Sequence, residues 1–225
     1  MKYSLVSLSE NLRPRIIIEG TDFAGTKDIA LALSKHPRIV GRSWERCFTA
    51  VISAKWCSFS QFPWGDKLID FSPGEEKQAM QNYRTWVSLI ELQRHTGWII
   101  DRFHLTTCKY QLLHYQAEYA FDWLEERMKK LCFHQVLVTQ DPRALREAMD
   151  SAGRTSQHGQ YDTVIQEQNL LRQLASKSIL PTIEIEVPDN DIQRIADRIA
   201  DWAESIGANI APEDYAMDHV ILPSS

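Results

Sequence analysis

The chain has 225 residues, 44% hydrophobic and 24% charged, with a formal net charge of −5. That composition supplies a globular core, and a mildly acidic chain lacks the basic footprint of a duplex nucleic-acid binder. Cys47, Cys57, Cys108 and Cys132 form no CxxC pair, which argues against structural zinc and for reduced thiols. No apolar run approaches the ~20 residues of a membrane span, and the first residues do not read as a signal peptide. The expectation is a cytoplasmic protein whose partners are neither membrane nor duplex nucleic acid.

In chain order, Arg15–Glu19 (RIIIE) is a β-branched run entering Gly20 and predicts a buried parallel strand. Residues 26–35 predict a helix closed by His36-Pro37, and Ile39-Val40 a second short strand. Residues 43–73 are aromatic and punctuated by Pro and Gly, with no clear assignment. From Glu75 a long helix follows, with Met80, Tyr83, Val87 and Ile90 on one face. Trp98–Asp101 predicts a strand, 108–131 a helix, Val136–Thr139 a strand and Pro142–Ser151 a helix. A polar loop at 153–159 precedes a helix over Tyr161–Ser176, a strand over Thr182–Val187 and a last helix over Asp191–Ile206. Ile192, Ile195, Ile199 and Ile206 form that helix's buried stripe, Asp189 or Asn190 its cap, and Gly207 its stop. Alternating strands and helices imply an α/β fold with a mostly parallel sheet covered on both faces. Ligands of such sheets sit beyond the carboxyl ends of the strands.

The segment after the first strand is Gly20-Thr21-Asp22-Phe23-Ala24-Gly25-Thr26-Lys27-Asp28. Two glycines five apart, between strand and helix, frame a phosphate-binding loop, because backbone N–H groups can converge on an anion at a helix N-terminus. The usual pattern is GxxxxGK[ST]. Here Thr26 stands where the Lys belongs and Lys27 where the metal-binding hydroxyl belongs. One residue turns a helical side chain by ~100°, so Lys27 must bend back to reach a phosphate. The loop also reads as a Gly turn without a ligand.

The segment after Trp98–Asp101 is DRFHLTTCKYQ. A carboxylate at a strand end can position hydrated Mg²⁺, and an adjacent Arg can grip phosphate. Asp101-Arg102 also reads as a structural pair tying strand to helix.

DRFHLTTCKYQ resembles the signature of the thymidylate kinase family, DR[FY] followed by Ser/Thr and a Tyr-Gln. IIIEGTDFAG is similar to that family's FEGxDGxG, including Glu19 and Asp22. VTQDPRALREAMDSAGR resembles the strand–DP–helix leading into the family's lid, and the chain from YDTVIQEQNLL to IADRIADW resembles its closing helix–strand–helix. The likeness spans about residues 15–35 and 82–206.

The resemblance implies a P-loop kinase fold with a five-stranded parallel sheet over residues 1–207, a lid near 150–162 and a tail at 208–225. It implies phosphoryl transfer from ATP to a deoxynucleoside monophosphate with Mg²⁺. Asp101 would sit near the metal, Arg102 on the acceptor phosphate, and Asp22 on the sugar hydroxyl. Thr106, Thr107 and Gln111 would line the acceptor pocket, with Arg84 and Arg42 as further clamps. Gly20 through Asp28, including Thr21, Phe23, Ala24, Gly25, Thr26 and Lys27, would wrap the donor phosphates, and Arg154 would supply lid charge. Glu19 would be the base if the acceptor were a nucleoside. The other readings are a non-catalytic nucleotide-binding relative acting as a binding or regulatory module, favoured by the altered loop, and a kinase of a deoxynucleoside or specialised metabolite. Homodimers are common in the family, which makes one possible here.

Overall fold

Residues 14–21, 23–40, 50–53, 69–92, 97–151, 158–187 and 191–208 are described in a computed structural model. The elements run β1 (Arg15–Gly20), α1 (Thr26–Leu33), α2 (Pro37–Val40), β2 (Ala50–Ser53), α3 (Glu76–Leu92), β3 (Trp98–Asp101) and α4 (His104–Tyr115). They continue as α5 (Asp122–Lys130), β4 (His134–Gln140), α6 (Pro142–Ser151), α7 (His158–Ala175), β5 (Thr182–Val187) and α8 (Ile192–Ser205). Five strands form one sheet in the order β2-β3-β1-β4-β5, and every neighbouring pair is parallel.

The isoleucine run explains why β1 sits at the centre. A side-chain period of two sends Ile16 and Ile18 to one face and Ile17 to the other, and all three are 0% exposed. Each fully buried Ile contributes about 1.5–3 kcal/mol, so only a strand covered on both sides satisfies the run. Ile16 and Ile18 pack with Ile29 and Leu33 of α1 and with Ile195 and Ile199 of α8. On the other face, Ile17 packs with Tyr83, Val87 and Ile90 of α3 and with Leu124 and Met128 of α5. Leu137 of β4 joins Leu105 of α4 and Leu171 of α7 on that face.

Several expectations need correction. Ile39-Val40 lies in α2, not a strand. Pro37 is preorganised for a first helical position, and the His36 ring accepts the Arg38 N–H at 3.3 Å. The second strand is instead Ala50–Ser53, inside the stretch left unassigned. The helix expected over 108–131 is two. α4 starts earlier, at His104, and ends at Gln116 in the left-handed region (φ 53), where Ala117 N–H closes back on Gln111 O at 3.3 Å. Phe121 then enters the core before α5 begins.

α7 begins at His158 rather than beyond Gly159. A helical Gly costs only about 1 kcal/mol, less than the buried face of Val164, Gln168 and Leu171 returns. In α8 the cap is Asp191, whose carboxylate accepts the Arg194 N–H at 3.1 Å, whereas Asp189 and Asn190 lie outside the described residues. Ile206 is 41% exposed and not part of the stripe. Gly207 does stop the chain there, with φ 66.

Candidate functional site

β1 and β3 are neighbours whose chains leave the sheet in opposite directions, β1 toward the β2 edge and β3 toward β4. Their carboxyl ends therefore flank a switch point, where a crevice opens. Register pairs Ile18 with Asp101, and the Arg102 N–H donates to Ile18 O at 2.7 Å. On the other side of β1, Gly20 pairs with Val138. The glycine loop and the Asp-Arg pair thus emerge side by side from one edge of the sheet.

The loop is set by its glycines. A Cβ on Gly20 would meet Thr26 Cγ2 at 2.8 Å, Ala24 Cβ at 3.0 Å and Val138 O at 3.0 Å, so the strand can meet the helix start only with no side chain there. Ala24 N–H donates to Thr21 O at 3.1 Å, closing a turn. Gly25 then takes φ 67 as the residue before α1, and no side chain caps that helix. An uncapped helix start with its partial positive charge is suited to an anion. Thr21 is buried, and its hydroxyl has no hydrogen-bond partner among the described residues. Phe23 packs against Leu145 and Met149 of α6 and Val164 of α7.

Thr26 is buried against Gly20, while Lys27 and Asp28 are exposed on the first turn of α1. The one-residue shift read in the sequence has therefore placed a methyl-bearing side chain under the loop and the lysine at an exposed position of the first helical turn.

Asp101 ends β3 at 1% exposure, with neither carboxylate oxygen hydrogen-bonded among the described residues. Arg102 Nε stands 3.9 Å from its Oδ1. A buried carboxylate without donors is costly unless a cation reaches it. Among the described residues no three His, Cys, Asp or Glu side chains cluster to cage a metal. A single buried carboxylate suits Mg²⁺, which keeps several of its waters and is held by one or two protein oxygens. Arg102 itself has φ 58, a left-handed conformation rare outside glycine and common at functional sites.

The other expected site residues divide. Glu19 is 0% exposed and faces α4, not the crevice. Its Oε1 accepts the Leu105 N–H at 3.0 Å, and its Oε2 accepts the Thr106 N–H at 3.2 Å and the Thr106 hydroxyl at 2.5 Å. Thr106 is thereby turned toward Glu19. Thr107 Oγ1 bonds the Tyr83 hydroxyl at 2.6 Å. Gln111 Nε2 donates to Ile69 O at 3.2 Å and Phe71 O at 2.9 Å. All three side chains are buried and hydrogen-bonded within the protein. Arg84, expected as a further clamp on the acceptor, is exposed on α3 with its guanidinium 5.6 Å from the Trp123 ring centroid. Asp22, Arg42 and Arg154 lie outside the described residues.

Two groups in the same region were not anticipated. His104, 0% exposed, pairs through Nε2 with Glu125 Oε1 at 2.9 Å. Burial pushes the Glu125 carboxyl up, but His104 and the Ile179 N–H outweigh it and hold it below the usual range. At the end of β4, the Gln168 amide brackets the Gln140 backbone with bonds of 2.8 and 2.9 Å. One signal for Glu19's partner was available: α4 starts after Phe103, which cannot cap a helix, so its first amides need an acceptor from elsewhere. The Cys108 thiol is pushed up to about 12 by burial and by the carboxylates of Glu19 and Glu125.

The sheet order, with the glycine loop and the Asp-Arg pair at its carboxyl edge, gives an α/β fold similar to those of two solved nucleotide-related proteins. The YorR protein of Bacillus subtilis, in complex with phosphorylated GDP, matches with a TM-score of 0.59 at 17% identity, over 85% of this chain and 96% of that one. Thymidylate kinase from Candida albicans matches with a TM-score of 0.55 at 16% identity, over 89% of this chain and 95% of that one. At such identities the likeness concerns the fold. No protein-family model and no curated protein matches the chain. Among the described residues no helix is long and apolar enough to cross a membrane.

Proposed function

We propose that the protein is a nucleotide kinase that transfers the terminal phosphoryl group of ATP to a deoxynucleoside monophosphate. The observation that carries this reading is the adjacency of the glycine loop and the Asp101-Arg102 pair, tied by the Arg102 N–H to Ile18 O bond at 2.7 Å, with the buried Asp101 carboxylate accepting no hydrogen bond among the described residues. The loop from Gly20 to Asp28 holds the donor phosphates on backbone amides and the start of α1. Arg102 grips the acceptor phosphate, and Asp22 takes the sugar hydroxyl. Asp101 holds a hydrated Mg²⁺, which when bound neutralises charge on the transferring group. Arg154, and Arg42 if it reaches the acceptor, add cationic charge.

The acceptor class follows from Glu19. An oxygen of the acceptor phosphate attacks the γ-phosphorus, and the bridging oxygen leaves with its electron pair on ADP. A phosphate monoester is mostly dianionic at pH 7, so this attack requires no base. A nucleoside hydroxyl does require one, and the carboxylate best placed by sequence is occupied by three donors from α4. That supports a monophosphate acceptor over a nucleoside.

A second reading, nucleotide binding without efficient transfer, is favoured by the outward position of Lys27 and the packing of Thr26 under Gly20. Losing one preorganised charge donor costs ~10²–10³ in rate. Incubating the protein with ATP and a panel of deoxynucleoside monophosphates, with and without Mg²⁺, and resolving products by anion exchange tests both. Mg²⁺-dependent diphosphate formation is expected. ATP binding without any product would select the second reading, and phosphorylation of nucleosides alone would overturn the acceptor assignment.

A further inference from the structure

We propose that Glu19 is a positioning residue: through the first turn of α4 it sets where Arg102 stands against the phosphate loop. This rests on the reading of Arg102 as the acceptor-phosphate ligand. Glu19 is the last side chain of β1 before Gly20, and it is fully buried. α4 has no cap of its own, since Phe103 precedes it. The amides of Leu105 and Thr106 and the Thr106 hydroxyl all donate to this one carboxylate.

Arg102 lies between two anchors on the same strand. Its N–H is held by Ile18 O, and the turn that follows is held by Glu19. Between them the backbone adopts φ 58 at Arg102, which a residue with a Cβ keeps only where its surroundings enforce it. Removing the Glu19 anchor frees α4 to begin later and lets Arg102 relax toward the ordinary φ range. Glu19 acts by placement and takes no proton from the acceptor.

Three variants test this. Glu19→Gln keeps the shape but turns one acceptor into a donor facing donors, Thr106→Val removes one donor, and Thr106→Ser restores it. Amide hydrogen exchange is followed at Arg102, Leu105 and Thr106, together with KM for a deoxynucleoside monophosphate and for ATP. Glu19→Gln should speed exchange at all three amides by about tenfold or more, the equivalent of a lost charge-assisted hydrogen bond. It should also raise the monophosphate KM by about tenfold on the same ground, leaving the ATP KM within about twofold. Thr106→Val should move exchange in the same direction by less, and Thr106→Ser should return it to the wild-type rate. If Glu19→Gln does not fold, the Thr106 pair carries the exchange comparison alone.

Faster exchange at Leu105 and Thr106 with Arg102 unchanged would reduce Glu19 to a cap and overturn the proposal. So would loss of kcat with both KM values intact, which is the signature of a carboxylate in the chemistry. A wild-type protein that turns over no nucleotide would refute the kinase reading, while exchange at Arg102 still decides this one.

Discussion

Asp101→Asn removes one negative charge with almost no change of shape, and its effect on stability can be worked out. Arg102 Nε stands 3.9 Å from Oδ1, a gross attraction of about 4 kcal/mol at an effective dielectric constant of 20. The side chains are 2% and 14% exposed, and withdrawing such an ion pair from water costs several kcal/mol. Neither Asp101 oxygen has a hydrogen bond among the described residues to tip the balance. The two effects offset, and Asp101→Asn should change metal-free stability by about 1 kcal/mol or less, a Tm shift of about 2–4 °C in a chain of this size.

Glu19→Gln is the internal contrast. It disturbs a carboxylate with three donors, and at about 1.5–3 kcal/mol per charge-assisted bond it should cost about 3 kcal/mol. Thermal unfolding followed by circular dichroism in EDTA measures both. Added Mg²⁺ and ATP at about 100 times Kd should then stabilise the wild type by about 2.7 kcal/mol, and Asp101→Asn should lose most of the Mg²⁺-dependent part. If Asp101→Asn is as destabilising in EDTA as Glu19→Gln, Asp101 is a structural partner and not a carboxylate kept for a cation.

Four other outcomes follow from the same coordinates. Gly20→Ala places a Cβ 3.0 Å from Val138 O; since backbone in the central ladder yields little, the urea midpoint should fall by the equivalent of about 1–3 kcal/mol. Gln111→Leu leaves the carbonyls of Ile69 and Phe71 without their donor. It should cost about 1–3 kcal/mol, with faster proteolysis around Phe71 but not in β1. Glu125 is held below the usual carboxylate range in the fold. Its contribution is therefore complete above the unfolded carboxylate's range and lost as pH falls through the folded value. Urea midpoints should show Glu125→Gln losing less stability than wild type between neutral and acid pH, and parallel losses would refute this. Finally, the double exchange Thr26→Lys with Lys27→Thr should raise turnover by ~10² or more if the displaced ammonium limits the rate; unchanged turnover would clear the loop of that charge.

The elements legible in the sequence were those whose signal is local. The RIIIE run, the glycines on either side of the loop and the Pro at the head of α6 each act within a few residues, and β1, α1 and α6 lie where they predict. The Asp-Arg pair was legible for a related reason, because a strand end followed by charge places those charges at the carboxyl edge in any parallel sheet. β2 escaped because Ala50–Ser53 is four residues long and depends on pairing with β3. Ile39-Val40 misled because β-branching was weighed without the turn that His36 and Pro37 impose.

Residue types in the site were thus written in the sequence, but their directions were not. Thr106, Thr107 and Gln111 have the chemistry of a ligand pocket or of internal struts, and their bonds to Glu19, Tyr83 and the Ile69–Phe71 backbone come from neighbours that no local pattern names. Glu19 reaches amides 86 and 87 residues further on, a distance over which no pattern of helix or strand carries information. Local propensity and side-chain period determined that a glycine loop and an acidic-basic pair would stand at strand ends. Packing of the sheet decided that those ends are adjacent, that one carboxylate holds the start of a helix, and that the other is buried without a hydrogen bond among the described residues. The physical reason is that hydrogen-bond satisfaction in the interior is settled by groups brought together from distant parts of the chain.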